Sequence, residues 1–157
     1  MQQSRTVQAV TGEEPQLIST GQNCFRFLVP VSKMKANPLT ASLLEKAKLT
    51  GVNAFVADDR RLVIYPCRRG TLLNVAGIHP DSETGKQGSS WSNSSTTELL
   101  LRTYASFGPE IQEMCRIAED VKLWSLSSRV PPSTFIKGTL ALIGDAAHPT
   151  LPRKTIV

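Results

Sequence analysis

Leu62-Val63-Ile64-Tyr65-Pro66-Cys67-Arg68-Arg69-Gly70-Thr71-Leu72-Leu73-Asn74-Val75-Ala76-Gly77-Ile78-His79 is the stretch that decides the fold. Its two halves are rich in β-branched and aliphatic residues, and Arg68-Arg69-Gly70 between them reads as a turn. Residues 62–67 and 71–79 are therefore predicted strands of one hairpin. Just upstream, 53–57 reads as a further strand, joined through the turn Asp58-Asp59-Arg60-Arg61. Three strands with two successive turns make an antiparallel meander.

Working outward, 24–31 carries the aromatic and β-branched content of a strand, and Pro30 ends it or puts it at an edge. Leu39, Leu43 or Leu44, and Ala47 recur at three- and four-residue steps, so 38–49 is a predicted amphipathic helix that Gly51 stops. The first 23 residues are polar, with Val7 to Val10 read as a short strand. Residues 81–97 form a Ser-, Thr- and Gly-rich loop, which Trp91 is expected to pin to the body of the protein. Thr96 or Thr97 caps a predicted helix that runs to about Phe107. Gly108 breaks it and Pro109 opens a second helix with Ile111, Met114, Cys115 and Ala118 inward. Residues 121–126 alternate as a half-buried strand, and the apolar run 140–143 reads as a strand buried on both faces.

The fold class that follows is α+β: a mostly antiparallel sheet carrying packed helices. At 157 residues with 40% hydrophobic and 20% charged residues, the composition is that of a globular domain or a piece of one. No run of about 18 apolar residues occurs, which excludes a membrane-spanning helix. The formal charge of +5 comes from scattered basic pairs such as Arg60-Arg61 and Arg68-Arg69. No stripe of Arg with interleaved aromatics accompanies them, so a nucleic-acid partner is not expected, while an anionic small molecule stays open. Cys24, Cys67 and Cys115 are widely spaced and only two His exist, so no metal site is expected. The cysteines read as three reduced thiols of a cytoplasmic protein. A Ser/Cys-His hydrolase finds little support, because neither Cys67 nor Cys115 has a His near it in sequence that could serve as its base.

The chemistry concentrates in Leu140-Ala141-Leu142-Ile143-Gly144-Asp145-Ala146-Ala147-His148-Pro149. An apolar strand runs into Gly-Asp, then small residues, then a turn into a helix. Glycine lets the backbone approach a ligand, and Ala146 and Ala147 keep the surface low. Asp145 can accept hydrogen bonds from polyol hydroxyls, and unpaired N–H groups can meet an anion. A plain helix N-cap accounts for the same residues equally well.

The longer string, continuing to Pro152, closely resembles the second FAD-binding motif of the class A flavoprotein monooxygenases, the para-hydroxybenzoate-hydroxylase-like aromatic hydroxylases. Phe25-Arg26-Phe27-Leu28-Val29-Pro30 is similar to a strand of that family, and residues 61–68 with Leu72-Leu73-Asn74-Val75 resemble its hairpin over the substrate cavity. Trp91, Glu98-Leu99-Leu100, Lys122-Leu123-Trp124 and Arg129 with Pro131 also fall in order, most similar to the fungal salicylate-hydroxylase-like branch. The resemblance implies FAD as cofactor, NAD(P)H as reductant and an aromatic or polycyclic small molecule as substrate. It implies Asp145 as the ligand of the ribityl chain, Gly144 giving access, and Ala146, Ala147, His148 and Pro149 lining the flavin side. His148 serves equally as a helix-start or packing residue.

The departures are as informative. No G-x-G-x-x-G spacing occurs, the family's middle Asp-Gly motif is absent, and Arg153-Lys154-Thr155-Ile156-Val157 stands where a Gly-rich helix start is expected. The expectation is an internal segment of such an enzyme, inactive by itself. Residues 1–137 would be the substrate-cavity sheet domain, and 138–157 one strand and turn of an incomplete, Rossmann-like FAD-binding domain. The strand at 139–143 should then lack its parallel neighbours. A non-catalytic remnant or binding module without flavin is the alternative, and oligomeric state is left open.

Overall fold

A computed structural model describes residues 5–14, 16–47, 51–85 and 95–149. In chain order the elements are α1 (Arg5–Thr11), β1 (Leu17–Pro30), α2 (Val31–Ala36), α3 (Pro38–Ala47), β2 (Asn53–Val56), β3 (Arg61–Cys67) and β4 (Leu72–Pro80). They continue with α4 (Thr97–Thr103), α5 (Pro109–Arg116), β5 (Glu119–Arg129), β6 (Ile136–Lys137) and β7 (Leu140–Ala141). Short 3-10 turns occupy Arg68–Gly70, Asp81–Glu83 and Gly144–Ala146. Two compact units divide the chain: Gly21–Ser125, and Met1–Thr20 together with Leu126–Val157.

The Gly21–Ser125 unit is built on a five-stranded sheet of order β2-β3-β4-β1-β5. Its β2-β3-β4 part is the antiparallel meander read from the sequence. Because strand side chains alternate, register sorts them into two faces. Phe25, Gly77 and Leu62 form one row, and Phe27, Val75 and Ile64 the next. These rows are buried beneath Met34 of α2, Leu43 of α3, Leu100 and Tyr104 from α4 and its end, and Ile111, Met114 and Cys115 of α5. Burial of each large apolar side chain contributes roughly 1.5–3 kcal/mol, which makes this α+β layer the main source of stability.

Local chemistry sets the helix ends. Thr96 Oγ1 accepts from the amide of Leu99 at 3.2 Å, satisfying one free donor of α4. Gly108 precedes α5, and Pro109 occupies its first turn. Asn37 terminates α2, and its Oδ1 accepts from the Leu39 amide at 3.0 Å as α3 begins.

A buried polar chain crosses the same unit. Ser125 Oγ donates to Asn23 Oδ1 at 2.8 Å, and Asn23 Nδ2 donates to Thr84 Oγ1 at 2.7 Å. Thr84 Oγ1 meets His79 Nε2 at 2.9 Å, and His79 Nδ1 meets the Tyr104 hydroxyl at 3.3 Å. Arg60 ties three segments together, bonding to Asp59, Glu83 and the carbonyl of Thr103.

Several expectations are corrected. Val7 to Val10 is helical, not extended: Val7 and Val10 lie three residues apart and both are buried, and Gly12 N closes the turn on Gln8 O at 2.8 Å. The helix after Thr96 stops at Thr103 rather than Phe107, since Tyr104 leaves the helical conformation. Residues 140–143 are not buried on both faces: Leu140 and Ile143 are 47% and 80% exposed, while Leu142 is buried. Only Leu140–Ala141 is strand, paired antiparallel with Ile136–Lys137. Trp91, the last two residues of the 38–49 helix and residues from 150 onward lie outside the described set.

Candidate functional site

The Gly-Asp string folds within the unit of Met1–Thr20 and Leu126–Val157. Leu142 packs with Val7 and Val10 of α1 and with Ala147, which anchors the string at both sides of the turn. Between these anchors Gly144–Ala146 forms a 3-10 turn. Gly144 O accepts from the amides of Ala147 and His148, both at 2.9 Å. Gly144 has φ +56, in the left-handed region that disfavours a side chain, and among the described residues no atom beyond its chain neighbours lies within 4 Å of where a β-carbon would project. The turn therefore exposes bare backbone there.

Asp145 is exposed, and its carboxylate has no hydrogen bond or ion pair with any described residue. It is not acting as an N-cap: Ile143 precedes the turn, and no side chain caps it. Ala146 and Pro149 are half-buried, Ala147 is buried and His148 is exposed. Gly144, Asp145, Ala146, Ala147, His148 and Pro149 lie on and just after one turn, with a carboxylate unpaired among the described residues beside an open glycine. An unpartnered carboxylate offers acceptors to vicinal hydroxyls, which suits a polyol chain.

Arg129 is the neighbour whose role in the turn the string alone does not reveal. It is 6% exposed, and its Nη2 donates to the carbonyl oxygens of Ala146 and Ala147, the latter at 3.3 Å. Seventeen and eighteen residues separate these partners, so no local pattern announces the contact.

The second candidate is the sheet face away from the helices in the Gly21–Ser125 unit. Arg26, Ala76 and Val63 make one row across it, and Leu28, Asn74 and Tyr65 the next. Lys122 and Trp124 of β5 join Arg26, Phe27, Leu28, Asn74 and Asp120 around a cavity of about 270 Å³. Asn74 Oδ1 is buried without a hydrogen-bond partner among the described residues. A buried acceptor left unpaired costs about 1–3 kcal/mol, so this atom is poised for a ligand donor.

Two of the three thiols do not compete for a catalytic role. Cys24 and Cys115 are buried, and burial pushes each up to about 12, so neither is a thiolate at neutral pH. No cluster of metal ligands occurs among the described residues.

In sequence and fold the chain belongs with the class A flavoprotein hydroxylases. No protein-family model matches it. Among curated proteins it is 32% identical to the hispidin-3-hydroxylase of Neonothopanus nambi over 121 residues, 76% of this chain and 28% of that protein. It is 29% identical to the FAD-dependent monooxygenase cfoG of Aspergillus candidus over 153 residues, 95% of this chain and 35% of that one. Against the FAD-dependent monooxygenase phomE' of Diaporthe leptostromiformis identity is 32% over 151 residues, 94% of this chain and 38% of the other. The chain thus spans about a third of the length of the curated relatives it matches. Its fold is that of a salicylate hydroxylase solved as a substrate complex, with a TM-score of 0.76, 24% identity, and coverage of 99% of this chain and 39% of that one. Klebsiella pneumoniae HpxO, solved with FAD and uric acid, superposes with a TM-score of 0.69 at 20% identity, covering 96% and 35% of the two chains.

Proposed function

We propose that the chain is part of an FAD-dependent monooxygenase that hydroxylates an aromatic or polycyclic small molecule with NAD(P)H as reductant. The observation that carries the reading is the exposed Asp145 carboxylate, unpaired among the described residues, beside Gly144, whose lack of a side chain leaves the backbone open. These residues fit the ribityl part of FAD: Asp145 would accept from its hydroxyls, Gly144 would admit its approach, and Ala146, Ala147, His148 and Pro149 would line the flavin. They do not provide a pyrophosphate cradle, because the sequence has no G-x-G-x-x-G. Residues 138–157 are accordingly read as one part of the cofactor site. When bound, the flavin supplies activation of dioxygen and transfer of one oxygen atom to the substrate.

The sheet face is the proposed substrate surface. Trp124, Tyr65, Leu28 and Val63 offer flat and apolar contact suited to a ring, and Asn74 Oδ1 accepts from a ring hydroxyl or N–H. The exposed Arg26 guanidinium at the cavity edge favours an anionic or phenolic ligand over a cationic one.

The 157-residue chain alone is proposed not to turn over. Immobilising a ligand costs roughly 4–15 kcal/mol, whereas one charge-assisted hydrogen bond contributes about 1.5–3 kcal/mol. The test is a flavin-fluorescence titration of the chain alone and joined behind the nucleotide-binding half of a relative such as cfoG. The expected result is weak binding alone and firm binding when joined, with Asp145→Ala weakening the joined form about 10- to 150-fold. Tight binding by the chain alone that Asp145→Ala leaves unchanged would overturn the reading.

A further inference from the structure

Arg129 ends β5 with its side chain almost fully buried, yet it is poorly satisfied. Only Nη2 has partners, the carbonyls of Ala146 and Ala147; Nε and Nη1 are buried without an acceptor among the described residues. A buried cation in this state does little for its own stability, since an apolar side chain of similar size in such a place is often as stable or more so. What the guanidinium does provide is direction. It is a planar charged donor that pulls two consecutive carbonyls toward one point.

Those carbonyls follow Asp145 directly. The turn has two internal hydrogen bonds, both to Gly144 O, and it is entered from a strand of two residues. Packing of Leu142 and Ala147 against Val7 and Val10 anchors the two sides of the turn, and among the described residues no further hydrogen bond holds residue 145 itself. Gly144 makes the need greater, because a glycine with open space around it restrains its neighbour weakly.

We infer that Arg129 is a positioning residue for the Gly-Asp turn: it holds the carbonyls of Ala146 and Ala147 so that the Asp145 carboxylate is presented outward in one orientation. The inference rests on the reading of Asp145 as a flavin ligand only for its consequence in binding; the orientation of the turn is a property of the chain itself.

Hydrogen exchange at the Ala147 and His148 amides of the 157-residue chain reads the turn without any ligand. Arg129→Met should lower their protection at least about tenfold while the sheet amides of β3 and β4 stay protected. Arg129→Lys should recover part of it, and millimolar methylguanidinium should recover part of it in the Met variant. Unchanged exchange at both amides in Arg129→Met overturns the inference; if that variant does not fold, unchanged exchange in Arg129→Lys does so. In the flavin titration, Arg129→Met and Asp145→Ala should be non-additive, the double variant binding no more weakly than Asp145→Ala alone. Effects that simply multiply would also overturn it. Failure of FAD to bind any form would remove the flavin reading, and the exchange measurement would still decide the role of Arg129.

Discussion

Gly77 and Tyr104 are in contact across the sheet–helix interface: a β-carbon on Gly77 would lie 2.7 Å from Tyr104 Cζ and closer still to the hydroxyl. The strand is therefore glycine at this point because the ring of Tyr104 occupies the side-chain position. The ring also stacks edge-on against Phe25 and His79, at centroid distances of 6.2 and 6.0 Å.

Gly77→Ala should accordingly destabilise the protein by about 1–3 kcal/mol through overpacking. Tyr104→Phe in the same background removes the hydroxyl clash but not that with Cζ, so it should restore only part of the loss. Urea midpoints at constant m-value measure both.

Burial holds His79 below the usual 6.5. The folded state then favours the neutral ring, and the unfolded state binds the extra proton. Stability should be at its full value above about pH 6.5 and fall as pH drops through that value toward the lower folded pKa. The fall should be largely absent in His79→Gln. Denaturation at a series of pH values checks it, and a loss on the alkaline side of 6.5 would contradict it.

Removing the Thr96 hydroxyl leaves the Leu99 amide without its acceptor. Thr96→Ala should cost about 0.5–2 kcal/mol, and Thr96→Ser or Thr96→Asp should cost little. Thermal unfolding of the three variants gives the comparison.

Arg60 joins the β2–β3 turn, the Asp81–Glu83 turn and the end of α4, and its side chain is 16% exposed. Both carboxylates beside it raise its pKa, so it stays charged throughout the accessible range. Arg60→Met should loosen all three segments together, seen as faster exchange at Asp81–Glu83 and Thr103 with the meander unchanged. A surface pair alone contributes little; the expected effect comes from the buried Thr103 carbonyl left unpaired.

Phe135, Ile136, Leu140 and Ile143 are exposed around one two-strand hairpin. Such a patch favours self-association. The 157-residue chain should sediment above its monomer mass at tens of micromolar, and Ile136→Ser with Ile143→Ser should shift it toward monomer.

Features that depend on neighbouring residues were legible before folding. The meander was legible because alternation and turn residues act within a few positions: Arg61–Cys67 and Leu72–Pro80 fall almost where 62–67 and 71–79 were expected. The Thr96 cap and the Pro109 helix start were legible for the same reason, as was the Gly-Asp string, whose residues are contiguous. Tertiary structure decided the rest. Val7 and Val10 have strand propensity, but burying both against Leu142 and Ala147 requires the three-residue spacing of a helix turn. Val31–Ala36 buries a single residue, Met34, too little to leave a period in the sequence. β1 opens on Leu17 and Ile18, but Ser19 to Asn23 is polar or glycine and carries no apolar alternation that would announce a strand. Leu140 and Ile143 are as apolar as any core residue, yet within these described residues no layer covers them. The links from Arg129 to Ala146 and from His79 to Tyr104 join residues 17 and 25 positions apart. Only the folded backbone brings such pairs within reach, so composition and spacing carry no trace of them.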